Sequence, residues 1–140
     1  MDFGTGGKWS KTVKKLRSQG FDVYGYDPYS ASASKYVFNN LEDFESSKFD
    51  GIMTNNVLEH LIDPVSTNRM IYKLLKDDGI LVHSSACFDF EYEWSRFHTF
   101  FFLGKSAELL AKRSGFSILE WHQSGEIKSC VMQKIQDKEW

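Results

Sequence analysis

What the sequence lacks excludes several classes of protein. No apolar run approaches the roughly 20 residues that cross a bilayer, and the amino terminus carries no charged-then-apolar signal segment. A net charge of −2 gives no electrostatic footprint for nucleic acid. The two cysteines, Cys87 and Cys130, have no metal-ligand spacing and are expected to be reduced thiols. We therefore expect a cytoplasmic protein with no metal, membrane or nucleic-acid partner.

The composition and the element pattern predict one soluble domain over residues 1–140. The chain is 41% hydrophobic and 26% charged, and no linker or repeat interrupts it. Strand-like and helix-like segments alternate, which predicts an α/β fold with a mainly parallel sheet. Asp63 is predicted to cap a helix that begins at Pro64 and ends before Gly79. Later strands are predicted over 80–85, 116–122 and 126–135, and a helix over 106–115.

Glycine is concentrated near the start, where Gly4, Gly6 and Gly7 follow Asp2. Without a Cβ, such a loop can turn with φ > 0 and lets a bound molecule approach the peptide plane. A helix with a basic, solvated face is predicted after the loop, and a short strand then leads to Asp27. The order of glycine loop, helix, strand and acid therefore predicts a ligand site.

Two cofactor classes compete for this loop. The dinucleotide fingerprint needs a third glycine three residues after the second, but Trp9 stands there, which argues against NAD. The spacing of Asp2, Gly4 and Gly6 instead resembles the first motif of class I S-adenosylmethionine-dependent methyltransferases. Asp27 resembles the acid of their second motif, which accepts hydrogen bonds from both ribose hydroxyls.

Two later segments strengthen the resemblance to the small-molecule branch of that family. One is FDGIMTNNVLEHLIDP, followed after a helix by LLKDDGILV; the other is FHTFFFLGKSAELLAKRSGF. The resemblance implies a Rossmann-like doubly wound, mainly parallel sheet with helices on both faces and an antiparallel last strand. Because only Met1 precedes Asp2, we expect a truncated first strand without most of its residues or the helix before it. Either the chain is a fragment or its start lies inside the domain.

The resemblance also implies an activity and a set of site residues. The activity is transfer of the methyl group of S-adenosylmethionine to a small-molecule acceptor, with a sugar-like or secondary-metabolite hydroxyl favoured. The cofactor would be bound by Asp2, Gly4, Gly6 and Asp27, with Asn55 and Asn56 near the methyl group.

His98 is our candidate for a catalytic base, because it lies in the segment that usually forms the acceptor pocket. The alternative is a histidine that hydrogen-bonds a loop backbone. Glu59 and His60 resemble half of a metal site, but capping or packing is the favoured interpretation.

The segment after the fifth predicted strand has an unusual composition. Aromatic and acidic side chains alternate from Phe88 to Trp94, which predicts an extended segment with one aromatic face and one acidic face. Three interpretations stay open: a strand that covers the core, an acceptor pocket or lid, and a homodimer interface.

Two other classes of function also stay open. One is a non-catalytic remnant or binding module with the methyltransferase fold. The other, weaker, alternative is an NAD-dependent oxidoreductase.

Overall fold

The computed structural model describes residues 1–6, 10–30, 35–44, 48–89 and 97–135, which fall into two units, Met1–Lys48 and Phe49–Trp140. The first contains β1 (Asp2–Phe3), α1 (Lys11–Ser18), β2 (Gly25–Tyr26), β3 (Val37–Phe38) and a short 3-10 helix, Leu41–Phe44. The second contains β4 (Phe49–Asn55), a 3-10 helix (Leu58–His60), α2 (Pro64–Leu74), β5 (Leu75–Ser85), α3 (Ser106–Ser114), β6 (Phe116–Ser124) and β7 (Ile127–Lys134).

In the first unit, three short parallel strands lie in the order β3-β2-β1. Ser10 caps α1, because its hydroxyl accepts a hydrogen bond from the Val13 amide at 3.0 Å. The apolar side of the helix buries Val13, and the same unit buries Phe3, Val37 and Phe44. The predicted glycine loop, helix and strand are therefore present in this order, and the strand starts at Gly25.

The basic face of α1 is only partly a solvated surface. Lys11, Lys14 and Lys15 are exposed, as the sequence predicts. Arg17 instead lies over the Tyr36 ring, with its guanidinium carbon 3.7 Å from the ring centroid, and pairs with Asp22 at 2.9 Å. Arg17 therefore joins α1 to the start of β3 through a cation–π contact.

In the second unit, four strands lie in the order β4-β5-β7-β6. The β4 and β5 strands are parallel, whereas β7 runs antiparallel to both β5 and β6. The helices α2 and α3 pack against each other and, respectively, against β5 and β6. The alternation of helices and strands confirms the predicted α/β class, and the pairing of β7 confirms the antiparallel last strand. In the part of the chain that the structure describes, no helix is long and apolar enough to cross a membrane.

The start of α2 matches the sequence, but its end does not. Asp63 accepts a hydrogen bond from the Ser66 amide at 2.9 Å, and Pro64 occupies the first turn, as predicted. The helix ends at Leu74, and Gly79 lies inside β5. A Cβ on Gly79 would lie 2.9 Å from the Leu75 Cβ, so the chain passes very close to itself at a register irregularity in β5. The glycine therefore serves a bulge rather than a helix end.

A buried histidine lies in the core of the second unit. His83 has no exposed surface, and its Nδ1 lies 2.9 Å from the Thr54 hydroxyl of the neighbouring strand. The rings of Phe88 and Phe102 pack against it, with centroids 5.3 and 5.1 Å away. Burial lowers the pKa of His83 from 6.5 to about 3. His83 is therefore a neutral core residue, and it is not a candidate base.

We predict that His83 makes the protein less stable in mild acid. Below pH 6.5 an unfolded chain protonates this side chain while the folded chain does not, so the free energy of unfolding falls as the pH falls. The contribution is about 1.4 kcal/mol per pH unit, or about 2 kcal/mol between pH 6.5 and 5. Urea unfolding of the parent protein and of His83→Gln across this range measures it, and the variant should lack this component.

The matched control is His122→Gln, because His122 is exposed and pairs only with Glu120 among the described contacts. This variant should keep the pH-dependent component that His83 contributes. Equal pH slopes for the parent and His83→Gln would show that His83 does not stay neutral in the folded state.

Candidate functional site

The glycine loop after β1 is fixed to the end of β2. The amides of Gly4 and Thr5 donate hydrogen bonds to the Tyr26 carbonyl at 2.8 and 3.2 Å. Gly4 and Gly6 have φ of 81° and 74°, a conformation that favours glycine. A Cβ on Gly6 would meet no described atom within 4 Å, so the backbone there faces open space. The loop is therefore a fixed backbone surface that a ligand can approach closely.

Gly25 allows the loop to take this path. A Cβ at position 25 would lie 2.6 Å from the Thr5 side chain, and it would crowd Val13 and Val37 at 3.1 and 3.2 Å. Sequence analysis did not select this residue. The available signal was a glycine inside a predicted strand, which often marks a place where another backbone or a ligand approaches.

Asp2 is buried beneath the loop. Its side chain accepts a hydrogen bond from the Ser10 hydroxyl at 3.3 Å, and the same hydroxyl accepts from the Val13 amide. Burial raises the pKa of Asp2, and the Ser10 hydrogen bond opposes that rise. Asp2 thus connects β1 to the amino terminus of α1, at the two ends of the glycine loop.

Asp27 follows β2 directly and is also buried. One carboxylate oxygen accepts a hydrogen bond from the Tyr29 amide at 2.9 Å, and the Asp27 carbonyl accepts from the Ser30 amide at 3.1 Å. These contacts form a tight turn that fixes the carboxylate at the strand end. Since the glycine loop is bonded to Tyr26, the structure brings the predicted residues Gly4 and Asp27 to the same end of β2.

In the second unit, β4 ends in a strained turn. Asn55 is the last residue of β4 and is exposed. Asn56 has φ of 50°, which makes it the one described non-glycine residue in the left-handed region, and its amide donates to the Ser84 carbonyl at 2.9 Å. Such strain often lies at functional positions. Both predicted asparagines are thus at the carboxyl end of β4, beside β5.

Glu59 anchors the segment that carries His98. Its side chain is buried, and its Oε1 accepts a hydrogen bond from the Ser85 hydroxyl at 2.5 Å. Its backbone carbonyl accepts from the amides of Thr99 and Phe100 at 2.7 and 3.3 Å. Packing, rather than metal binding, therefore explains this residue, and no group of three metal-ligating side chains occurs in the described part of the chain.

His98 lies between the ends of β4 and β5. Its Nδ1 is 3.3 Å from the Cys87 sulfur, and its ring centroid is 4.8 Å from that of His60. The His60 Nδ1 donates to the Phe97 carbonyl at 3.0 Å, so His60 also contacts the segment that carries His98. Sequence analysis did not identify Cys87 as the partner of His98, because no residue spacing indicates that contact.

A small polar cavity opens beyond β5. Its volume is about 60 Å³, and its walls are Ala86, Phe88, Asp89, Gln123, Glu126 and Lys128. The Phe88 ring packs edge-on against Trp121 at 5.1 Å, and the Lys128 ammonium lies 4.6 Å from the centre of the Trp121 ring. The cavity thus combines an aromatic wall with charges of both signs. Phe88 lies in a turn, and positions 90–96 of the predicted extended segment lie outside the described residues.

Neither cysteine forms a disulfide in the described structure, and both are buried. Burial raises the pKa of Cys130 to about 12, so this thiol is neutral at physiological pH.

Comparison with known proteins supports the fold and names a family. The sequence model of a methyltransferase-domain family matches residues 1–122. The crystal structure of 1,6-didemethyltoxoflavin-N1-methyltransferase from Burkholderia thailandensis, with bound 1,6-didemethyltoxoflavin and S-adenosylhomocysteine, superposes with a TM-score of 0.75 at 16% identity, covering 96% of this chain and 70% of that one.

An S-adenosylmethionine-dependent methyltransferase from Mesorhizobium loti gives a TM-score of 0.66 at 12% identity, covering 95% and 89% of the two chains. At these identities the likeness is evidence for the fold alone, and it confirms the predicted Rossmann-like architecture. The curated proteins contain no match to this chain.

We predict that Gly25→Ala displaces the loop and destabilises the protein. The new methyl group would overlap the branched side chain of Thr5, so the loop or β2 must move. Overpacking of this kind costs about 1–3 kcal/mol. Urea unfolding measures the loss. Gly51→Ala is the matched control, because a Cβ there makes an ordinary 3.7 Å contact with the Ile80 carbonyl. Equal stability of the two variants would contradict the close packing of Thr5 on Gly25.

Proposed function

Since the chain belongs to the methyltransferase-domain family, we propose that it transfers the methyl group of S-adenosylmethionine to a small-molecule acceptor, namely a hydroxyl of a sugar-like or secondary-metabolite substrate. The observation that carries the proposal is the fixed glycine loop beside Asp27 at the end of β2. Both features stand in the order that the family resemblance requires.

The residues of the first unit fit the cofactor. No described atom apart from its chain neighbours lies within 4 Å of the position that a Cβ on Gly6 would take, so the described residues leave room for a ligand against this backbone. Asp27 offers a carboxylate held in place by the Tyr29 amide, and a carboxylate can accept hydrogen bonds from two hydroxyl donors. We therefore assign Gly4 and Gly6 to the methionine part of the cofactor and Asp27 to its ribose. Asp2 acts through Ser10 by holding the two ends of the loop.

When bound, S-adenosylmethionine supplies a methyl group already activated by the sulfonium. The chain then has to orient the acceptor and remove its proton. Positioning alone can lower a barrier by roughly 7–11 kcal/mol in favourable cases. We assign Asn55 and Asn56 to the methyl-transfer position, because the strained turn at Asn56 fixes the backbone at the end of β4.

We assign the role of general base to His98. A hydroxyl acceptor must lose its proton as the new bond forms, and a neutral imidazole can take it. His98 lies at the carboxyl ends of β4 and β5, where ligands of open α/β sheets bind. Its loop is held by two backbone hydrogen bonds to Glu59, so the ring is carried on a fixed segment.

The polar cavity supports a sugar-like acceptor. Aromatic faces pack well against the C–H surface of a sugar, and Phe88 provides one wall. The carboxylate of Glu126 and the ammonium of Lys128 can hydrogen-bond to hydroxyl groups of either orientation. A cavity of about 60 Å³ holds part of a ring rather than a whole nucleoside.

Calorimetric titration with S-adenosylhomocysteine tests the proposed donor. Saturable binding with a micromolar Kd, which corresponds to about −8 kcal/mol, is the expected result. NADH is the comparison ligand, since an oxidoreductase would bind it instead. Absence of heat from a folded sample would favour a non-catalytic binding module.

We predict that Asp27→Asn weakens binding of S-adenosylhomocysteine by roughly 10- to 100-fold. The amide oxygen can still accept from the Tyr29 amide, so the turn should persist. The variant loses the charge and one of two acceptor oxygens, and a hydrogen bond to a charged group contributes about 1.5–3 kcal/mol. Titration calorimetry gives the Kd ratio.

Asp43→Asn is the control for this variant, because it removes the same charge from an exposed residue of the first 3-10 helix. Its Kd should equal that of the parent. An unchanged Kd for Asp27→Asn would show that Asp27 does not bind the ribose. The titration of the parent protein decides separately whether the donor is S-adenosylmethionine.

A further inference from the structure

A chain of buried hydrogen bonds leads to Cys87. The Ser85 hydroxyl donates to the Glu59 carboxylate at 2.5 Å and accepts from the Cys87 amide at 3.0 Å. The Cys87 carbonyl accepts from the Phe102 amide at 2.8 Å. Both the Ser85 and Cys87 side chains are fully buried. The backbone of Cys87 is therefore held on both sides, and its sulfur has a fixed position without competition from water.

The loop that carries His98 is held by the same group of residues. Its Thr99 amide donates to the Glu59 carbonyl, and the Thr99 hydroxyl donates to the Leu61 carbonyl at 2.6 Å. The far end of the loop is fixed where Phe102 bonds to Cys87. Glu59 and Cys87 thus both hold this loop, and Cys87 is also the residue whose side chain faces the His98 ring.

The contact between Cys87 and His98 has two possible polarities. In one, the thiol hydrogen points at Nδ1, so the ring hydrogen is on Nε2. In the other, the Nδ1 hydrogen points at the sulfur, so the lone pair is on Nε2. Only the second hydrogen-bond arrangement persists when the ring gains a proton. An imidazolium carries hydrogen on both nitrogens, so its Nδ1 still donates to the sulfur.

We propose that Cys87 is a positioning residue that sets the tautomer of His98. In this tautomer the Nδ1 hydrogen donates to the sulfur, and the lone pair on Nε2 takes the proton of the substrate hydroxyl. This inference rests on the proposed function, in which His98 is the base. The balance is simple: the hydroxyl hydrogen would move to Nε2 as the oxygen forms its bond to the methyl carbon, and the bond from that carbon to the donor sulfur would break, which leaves a neutral thioether.

The experiment is nitrogen-15 NMR of histidine-labelled protein at about pH 8.5, well above the ordinary histidine pKa of about 6.5. Ring nitrogen shifts distinguish a protonated from an unprotonated nitrogen, and His98→Gln assigns the His98 signals. The parent should show the Nδ1-protonated form of His98 as the major tautomer.

Three variants test the role of the sulfur. Cys87→Ala should reduce that tautomer excess several-fold, and Cys87→Ser should restore it because a hydroxyl also accepts a hydrogen bond. Cys130→Ala, which removes the other buried thiol, should leave the His98 tautomer unchanged. An Nε2-protonated His98 in the parent, or an unchanged ratio in Cys87→Ala, would overturn the inference.

The same samples are titrated with S-adenosylhomocysteine. Because Cys87 is not assigned to the cofactor, its variants should keep the parent Kd within about twofold. A parent protein that does not bind S-adenosylhomocysteine would contradict the proposed function. The role of Cys87 is decided by the tautomer ratio alone.

Discussion

Each unit contains a buried carboxyl group that accepts a hydrogen bond from a serine hydroxyl. In the first unit Ser10 donates to Asp2, and in the second Ser85 donates to Glu59. Each serine also accepts a backbone amide, that of Val13 or of Cys87. A buried carboxyl group without hydrogen bonds is costly, so displacement of either serine would remove a needed hydrogen-bond donor. The same arrangement thus fixes the start of α1 in one unit and the turn after β5 in the other.

These two fixed points hold the described parts of the loops that carry the candidate site. Loops are normally the mobile part of a fold, and precise chemistry on them needs extra support. The glycine loop has that support at both ends, through Asp2 and through its hydrogen bonds to Tyr26. The His98 loop has it through Glu59 and Cys87. Side chains that touch no ligand therefore determine where the proposed ligand-binding groups lie.

The sequence predicted the elements well because local signals determine them. Asp63 and Pro64 start α2 as expected, and the strands and helices alternate in the expected order. The end of α2 was wrong, because the bulge that requires Gly79 arises from pairing with a distant strand. Contacts such as Thr5 on Gly25 and Cys87 on His98 also join residues that only the fold brings together. The spacing of motifs along the sequence does not indicate these contacts.

The surroundings of Cys87 explain why a thiol, rather than a carboxyl group, contacts His98. An acid at this fully buried position would place a second buried carboxyl group beside that of Glu59, and each buried polar group needs its own hydrogen-bond partner. A thiol is neutral and compact, and its sulfur accepts an N–H hydrogen bond weakly. On our proposal, the fold thereby orients an imidazole with a polar contact that the apolar cluster of Leu58, Phe102 and Leu110 can tolerate. A carboxylate could orient the ring equally well only if the Glu59 chain were rebuilt.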